Sequence, residues 1–145
     1  MFQPNGDPTR LKVVDPMASS RTTSGVVGSA TVHPLSVPLG TDELKINAIY
    51  FEPGTRFIPH GHPFDQVLFY AYGTGIVAVD GGPDVIVPTG HYVLLPANVV
   101  HMHGCTDDGP ALQLSMMRDT QTTFDVPCPD SWTKWLEAAG RVVGG

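Results

Sequence analysis

Apolar residues in this chain come in short runs, most of them β-branched or aromatic, each closed by a turn signal. Val26-Val27 and Ala30-Thr31-Val32 stop at Pro34. Lys45–Phe51 ends at Glu52-Pro53-Gly54, and Gln66–Tyr72 ends at Gly73-Thr74-Gly75. Ile76–Val79, the turn Asp80-Gly81-Gly82-Pro83 and Val85–Val87 have the pattern of a hairpin. Tyr92–Leu95, Val99–His103 and Leu112–Met117 continue the series. Short strands with frequent turns specify an all-β sandwich or barrel. One segment has helical spacing instead. Trp132, Trp135, Leu136 and Ala139 stand at i, i+3, i+4 and i+7, Asp130-Ser131 offers an N-cap, and Gly140 ends the run. A short helix covering one end of the sandwich is expected there. Residues 1–24, broken by Pro4, Gly6, Pro8 and Pro16 and followed by Gly25, read as a flexible N-terminal arm. The expected organisation is therefore an arm at 1–24, a barrel at 25–128, and a helix and tail at 129–145.

Composition narrows the function classes. A length of 145 residues makes one domain, and 41 % hydrophobic residues supply a core. Gly 16 and Pro 14 fit a turn-rich fold. Eight basic against fourteen acidic residues give a net charge of −6, which argues against nucleic acid or an anionic membrane surface as partner. No apolar run reaches the roughly 18 residues of a membrane span. The first residues, Met1 to Asp7, have neither a basic nor an apolar leader pattern, so a cytoplasmic protein is expected. Cys105 and Cys128 allow one disulfide but make no disulfide scaffold, and both are read as small buried hydrophobes.

The chemistry-bearing signal is histidine. Of six histidines, His33 precedes Pro34 and is read as structural, and His91 follows a turn and is read as exposed. The other four form two His-x-His pairs, His60-Gly61-His62 and His101-Met102-His103. In a strand, residues i and i+2 share a face, so both imidazoles of a pair can reach one ion. Gln66 shares that parity if the strand continues from His62, whereas Asp65 points the other way. The amide is therefore preferred over the nearby carboxylate as a fourth ligand.

The spacing is specific. Gly54, five residues, His60-x-His62, three residues, Gln66, six residues and Gly73 form one block; Gly90, five residues, Pro96-x-Asn98, two residues and His101 form another. Together they resemble the two motifs of the cupin family, over roughly residues 44–118. The family has Glu at Gln66, Gly at Asn98 and Asn at Cys105; Asn also tolerates a left-handed turn. The resemblance implies a jelly-roll barrel of two antiparallel sheets with a metal inside, held here by His60, His62, Gln66 and His101. The implied cofactor is one divalent transition ion, with zinc the best fit and manganese, nickel and iron also suited. Three imidazoles and an amide leave the ion its full charge, a strong Lewis acid without a carboxylate proton shuttle.

Parity extends the site. If His60, His62 and Gln66 face inward, Leu68 and Tyr70 do too. On the preceding strand either Asn47, Ile49 and Phe51 or Ala48 and Tyr50 face in, and the resemblance favours the first set. Gln113, Ser115 and Met117 are the inward set of the last strand. His103 and Tyr70 are the candidate catalytic groups, His103 as a base or as a fourth ligand in place of Gln66. Between residues 44 and 118 the only basic side chains are Lys45, Arg56 and Arg118, too few to hold a phosphate. A flat, apolar, carbonyl-bearing substrate fits better. The chain looks like the small cupins among aromatic polyketide cyclases, which implies metal-dependent aldol-type closure of a poly-β-keto chain in antibiotic biosynthesis. It also looks like small cupin hydroxynitrile lyases. A flavonol-cleaving type of dioxygenase and a small-ligand binding domain are the remaining alternatives. The family also implies a homodimer.

Overall fold

A computed structural model describes residues 1–141, so the end of the expected tail, 142–145, lies outside the described residues. Among the described residues there are eleven strands: β1 (Arg21–Thr22), β2 (Val26–Val27), β3 (Ala30–Pro34), β4 (Lys45–Phe51), β5 (Arg56–Phe57), β6 (Gln66–Tyr72), β7 (Gly75–Val79), β8 (Val85–Val87), β9 (Tyr92–Leu95), β10 (His101–Cys105) and β11 (Ala111–Met117). Two 3-10 turns in the arm (Pro8–Arg10 and Pro16–Ala18), a single α-turn, α1 (Ser36–Leu39), and a helix, α2 (Asp130–Ala138), are also present. The strands form a six-stranded sheet in the order β1-β3-β4-β11-β6-β9 and a five-stranded sheet in the order β2-β5-β10-β7-β8. All pairings are antiparallel. The two sheets enclose one core cluster, which includes Val32, Ile49, Phe51, Leu68 and Tyr70 from the first and Val26, Phe57, Val77 and Cys105 from the second. This is a jelly-roll β-sandwich.

Alternation sets which side chains enter the core. In β11, Ala111, Gln113, Ser115 and Met117 are buried while Leu112, Leu114 and Met116 are half-buried on the other face. In β6, Gln66, Leu68 and Tyr70 are buried by the same rule. The register places Ser115 opposite both Asn47 and Leu68, and Met117 opposite Gln66, so three strands bring their inward polar groups to one level.

Several local readings change. The strand expected at Val99–His103 is β10, beginning at His101 and running to Cys105. The turn before it occupies the first two positions: Asn98 adopts a left-handed φ of 63° and Val99 N–H donates back to Pro96 O. Gly104 lets the two-residue β5 lie against β10, because a Cβ there would run into the Thr55 carbonyl. The arm is part of the sandwich: β1 pairs with β3, Arg21 opposite Val32, and Ser19 O accepts a hydrogen bond from His33 Nδ1 at 2.9 Å. Helix α2 starts one residue before the expected N-cap pair ends. Pro129 occupies the cap, and Asp130 sits in the first turn, where a carboxylate suits the helix dipole. Leu136 is its buried contact, the Arg56 guanidinium lies 5.9 Å from the Trp135 ring, and Arg141 donates to Val26 O. Both cysteines are free, and buried Cys105 donates to Glu52 O at 3.2 Å.

Candidate metal centre

Two pieces of backbone bring the histidine pairs together. His60 N–H donates to His101 O at 3.0 Å and His101 N–H donates to His60 O at 2.9 Å, a two-way bridge that joins the first motif to the second. Asn98 N–H donates to His62 O at 2.8 Å, so the left-handed Asn98 turn fixes the other end of the first pair. The ring centroids of His60 and His101 end 4.4 Å apart, and those of His62 lie 5.3 Å from His60 and 5.4 Å from His101. Ring nitrogens of His60, His101 and His103 all lie within 4.8 Å of one another, close enough to hold one ion.

Gln66 reaches the same place by a different route from the one expected. No strand runs on from His62, because the Pro63–Asp65 bend intervenes and Pro63 has no N–H for a ladder. Gln66 is instead the first residue of β6 and faces inward by that strand's own alternation. Asp65 turns out to solvent, where it accepts from Ala97 N–H at 2.9 Å.

The hydrogen bonds of the three motif histidines fix their tautomers. Nδ1 of His60 faces Ile58 O at 2.7 Å, Nδ1 of His101 faces Val99 O at 2.9 Å, and Nδ1 of His62 faces Gln121 O at 2.9 Å. A carbonyl only accepts, so each Nδ1 carries the hydrogen and each Nε2 carries the lone pair. This is the arrangement in which a metal-binding histidine is oriented by its far nitrogen. Gln66 Nε2 donates to Ser115 Oγ at 2.9 Å, which turns its oxygen the other way. His62 Nε2, His101 Nε2 and Gln66 Oε1 are buried with no hydrogen-bond partner. Orphaned buried acceptors are costly, and each of these atoms is of a kind that ligates a divalent cation. The residues present therefore fit a divalent metal.

Burial disfavours the charged form of three of the four histidines, His60, His101 and His103. It pulls His60 down to about 3, reinforced by His101, and His101 down to about 4. His103 is held well below its ordinary value, first by burial and then by its histidine neighbours.

A cavity of about 580 Å³ opens beside the histidines. Its wall includes His60, His62, Gln66 and His103, together with Asn47, Ile49, Ser115 and Met117 from the expected pocket set. His101, Phe51, Leu68, Gln113 and Tyr70, also expected at the site, are absent from that wall. They are fully buried behind it, at 1 % exposure or less. Tyr70, expected as a catalytic group, spends its hydroxyl on Gly104 O at 2.7 Å, and burial raises its phenol far above the ordinary range. Residues outside the expected set complete the wall. Phe57 comes from β5, Arg21 to Ser24 from the arm, and Thr120, Thr122 and Phe124 from the segment after β11. That last segment is tied down by the backbone bridge between Gly61 and Thr123. These stretches have neither alternation nor motif spacing to mark them in the sequence. Among the described residues, no Asp or Glu lines the cavity.

Residues 48–117 match the family described as the cupin domain. The chain carries a cupin domain. Among solved structures, this cupin is similar to a cupin-like protein from Thermotoga maritima, with 25 % identity, a TM-score of 0.67, and coverage of 80 % of this chain and 91 % of that one. It is also similar to the polyketide cyclase RemF from Streptomyces resistomycificus, at 18 % identity and TM-score 0.62, covering 73 % and 78 % of the two chains. Oxalate decarboxylase from Bacillus subtilis, a protein with Mn(II) centres, matches at 15 % identity and TM-score 0.65, over 93 % of this cupin but only 38 % of that chain. At these two lower identities the likeness is one of fold. No curated protein sequence matches the chain.

Proposed function

We propose that this cupin is a metal-dependent polyketide cyclase, closing a poly-β-keto chain by intramolecular aldol chemistry with one divalent ion, zinc being the best fit. The reading includes a role in aromatic polyketide (antibiotic) biosynthesis, a cytoplasmic location and a homodimer. One observation carries it: three histidines have Nδ1 committed to backbone carbonyls, while two of their Nε2 atoms and Gln66 Oε1 are buried without a partner. His60, His62, Gln66 and His101 would hold the ion. When bound, such an ion supplies Lewis acidity toward a carbonyl oxygen. The chain's own residues do the rest. Ser115 orients the Gln66 amide. The proposed ligands bring no negative charge, and among the described residues no carboxylate lines the cavity to offset the charge of a cation. Val32, Ile49, Phe57 and Met117 offer apolar contact to a flat chain, and Asn47 and the threonines at the mouth offer hydrogen bonds. The volume suits a small molecule, since ligand pockets run about 300–1,000 Å³. The fold likeness to a polyketide cyclase supports the same reading.

The test is anaerobic turnover of a poly-β-keto substrate together with metal analysis. The wild-type chain is expected to carry one zinc and to cyclise without oxygen. His60→Ala is expected to lose both the ion and the activity, and full cyclisation by that variant ends the proposal. Turnover only in oxygen, with iron, nickel or copper bound, favours a dioxygenase instead.

A further inference from the structure

We propose that His103 is a fixed hydrogen-bond donor to a ligand oxygen, locked as its Nε2–H tautomer by Gln113, and is neither a metal ligand nor a base. The assignment follows from what each group in a buried chain is able to do. Gly104 O only accepts, so the Tyr70 hydroxyl 2.7 Å away donates to it. The Tyr70 oxygen then presents a lone pair to Gln113 at 2.7 Å. With that hydrogen committed, Gln113 meets it with Nε2, because a reversed amide would set oxygen against oxygen with no hydrogen between, and Gln113 Oε1 is left buried without a partner. The second Nε2 hydrogen of Gln113 points to His103 Nδ1 at 3.0 Å. That nitrogen must accept, and the neutral ring keeps its hydrogen on Nε2. A doubly protonated ring would set N–H against N–H at Gln113.

The lock is built into the barrel. Tyr70 and Gln113 are fully buried and His103 is 3 % exposed. The Tyr70 ring lies on Gly75, where a Cβ would run into it. The His103 ring stacks on Phe57 with centroids 4.8 Å apart. His103 is thereby the inverse of His60, His62 and His101, which carry their hydrogen on Nδ1. It lines the same cavity, and no hydrogen bond to a described residue uses its Nε2 hydrogen. An unpartnered donor in the wall of a cavity without carboxylates recognises a carbonyl, enolate or carboxylate oxygen. The class of ligand rests on the cyclase reading, but the tautomer does not.

Long-range 15N–1H NMR on histidine-labelled chain tests the lock directly. In metal-free and zinc-loaded protein, His103 is expected to show the Nε2–H pattern, opposite to His60, His62 and His101. An Nδ1–H pattern, or a zinc-induced coordination shift at His103 Nε2, overturns the proposal. The donor role is read with acetylacetone, a β-diketone, titrated into zinc-loaded protein. His103→Phe keeps a ring against Phe57 and removes the N–H. It is expected to retain one zinc per chain and to bind the probe about tenfold more weakly. Loss of the zinc, equal affinity, or no binding even to wild type overturns it. A chain that cyclises nothing while His103 keeps its Nε2–H signature sinks the cyclase reading alone.

Discussion

Two residues two positions apart on the same strand face, His101 and His103, have opposite hydrogen placement, and the difference comes from their second nitrogens. His101 Nδ1 meets a carbonyl and His103 Nδ1 meets an amide N–H. Residue type and spacing are the same, so the sequence leaves both roles open for His103. Burial of neutral imidazoles also has a consequence in solution. His60 sits near 3 and His101 near 4 in the folded chain, below the ordinary histidine value of 6.5. The unfolded chain therefore binds protons first as pH falls. The associated stability is fully present above about pH 6.5 and is lost progressively toward the folded values, at up to about 1.4 kcal/mol per pH unit for each group. Metal-free protein is expected to show a urea midpoint that falls steeply between pH 6.5 and 4 and is flat from 7 to 8. A flat profile through the acid range would show that these rings are not buried neutral.

At the level of elements, the strands were legible from alternation and turn residues, while the pieces that close the cavity were not. β1, β5 and the segment around Thr120–Phe124 are two-residue strands or irregular chain, and such short pieces have no period to read. They are placed by partners distant in sequence: β1 by β3, β5 by β10, and Thr123 by Gly61. The arm illustrates the consequence. Its proline-broken sequence reads as a tail, yet Arg21 to Ser24 line the cavity. Deleting residues 1–24 is expected to leave the ion content at one per chain, since no proposed ligand is removed. The deletion removes two side-chain anchors, Arg10 to Gly40 O and His33 to Ser19 O, for a stability loss of about 1–3 kcal/mol in thermal or urea unfolding. KM is expected to rise several-fold with kcat less affected. Loss of the ion on deletion would show that the arm supports the metal centre itself.

On the scale of the molecule, the sandwich uses its two faces differently. The inner face holds the polar site. The outer face of the six-stranded sheet presents Val67, Phe69, Leu112, Leu114 and Met116 half-buried, with Tyr72, Tyr92 and Leu94 at 42 %, 66 % and 55 % exposure. A continuous apolar face of this kind is uncommon on a monomer. The proposed homodimer is expected to bury it, giving twice the 15.5 kDa chain mass in light scattering. Leu94→Lys is expected to shift the mass toward the monomer without changing ion content. A wild-type monomer at high concentration would remove the dimer from the proposal.

The sequence by itself determined the strands other than β1 and β5, the helix and the two motif blocks, because period, turn chemistry and ligand spacing are local. It also determined that Asn98 is able to take the left-handed turn, which it does at φ 63°. The inward sets on β6 and β11 were readable too, since alternation along a strand is a property of the strand alone, whereas on β4 alternation left two sets open and the family resemblance chose between them. The tertiary structure decided what depends on distant partners. It set Gln66 in place through β6 rather than through a strand continued from His62. It put Tyr70 and Gln113 behind the cavity wall instead of in it, because burial in one face does not say how deep that face lies. And it distinguished His103 from its neighbours, because a ring's tautomer is set by whichever group the fold brings to its other nitrogen.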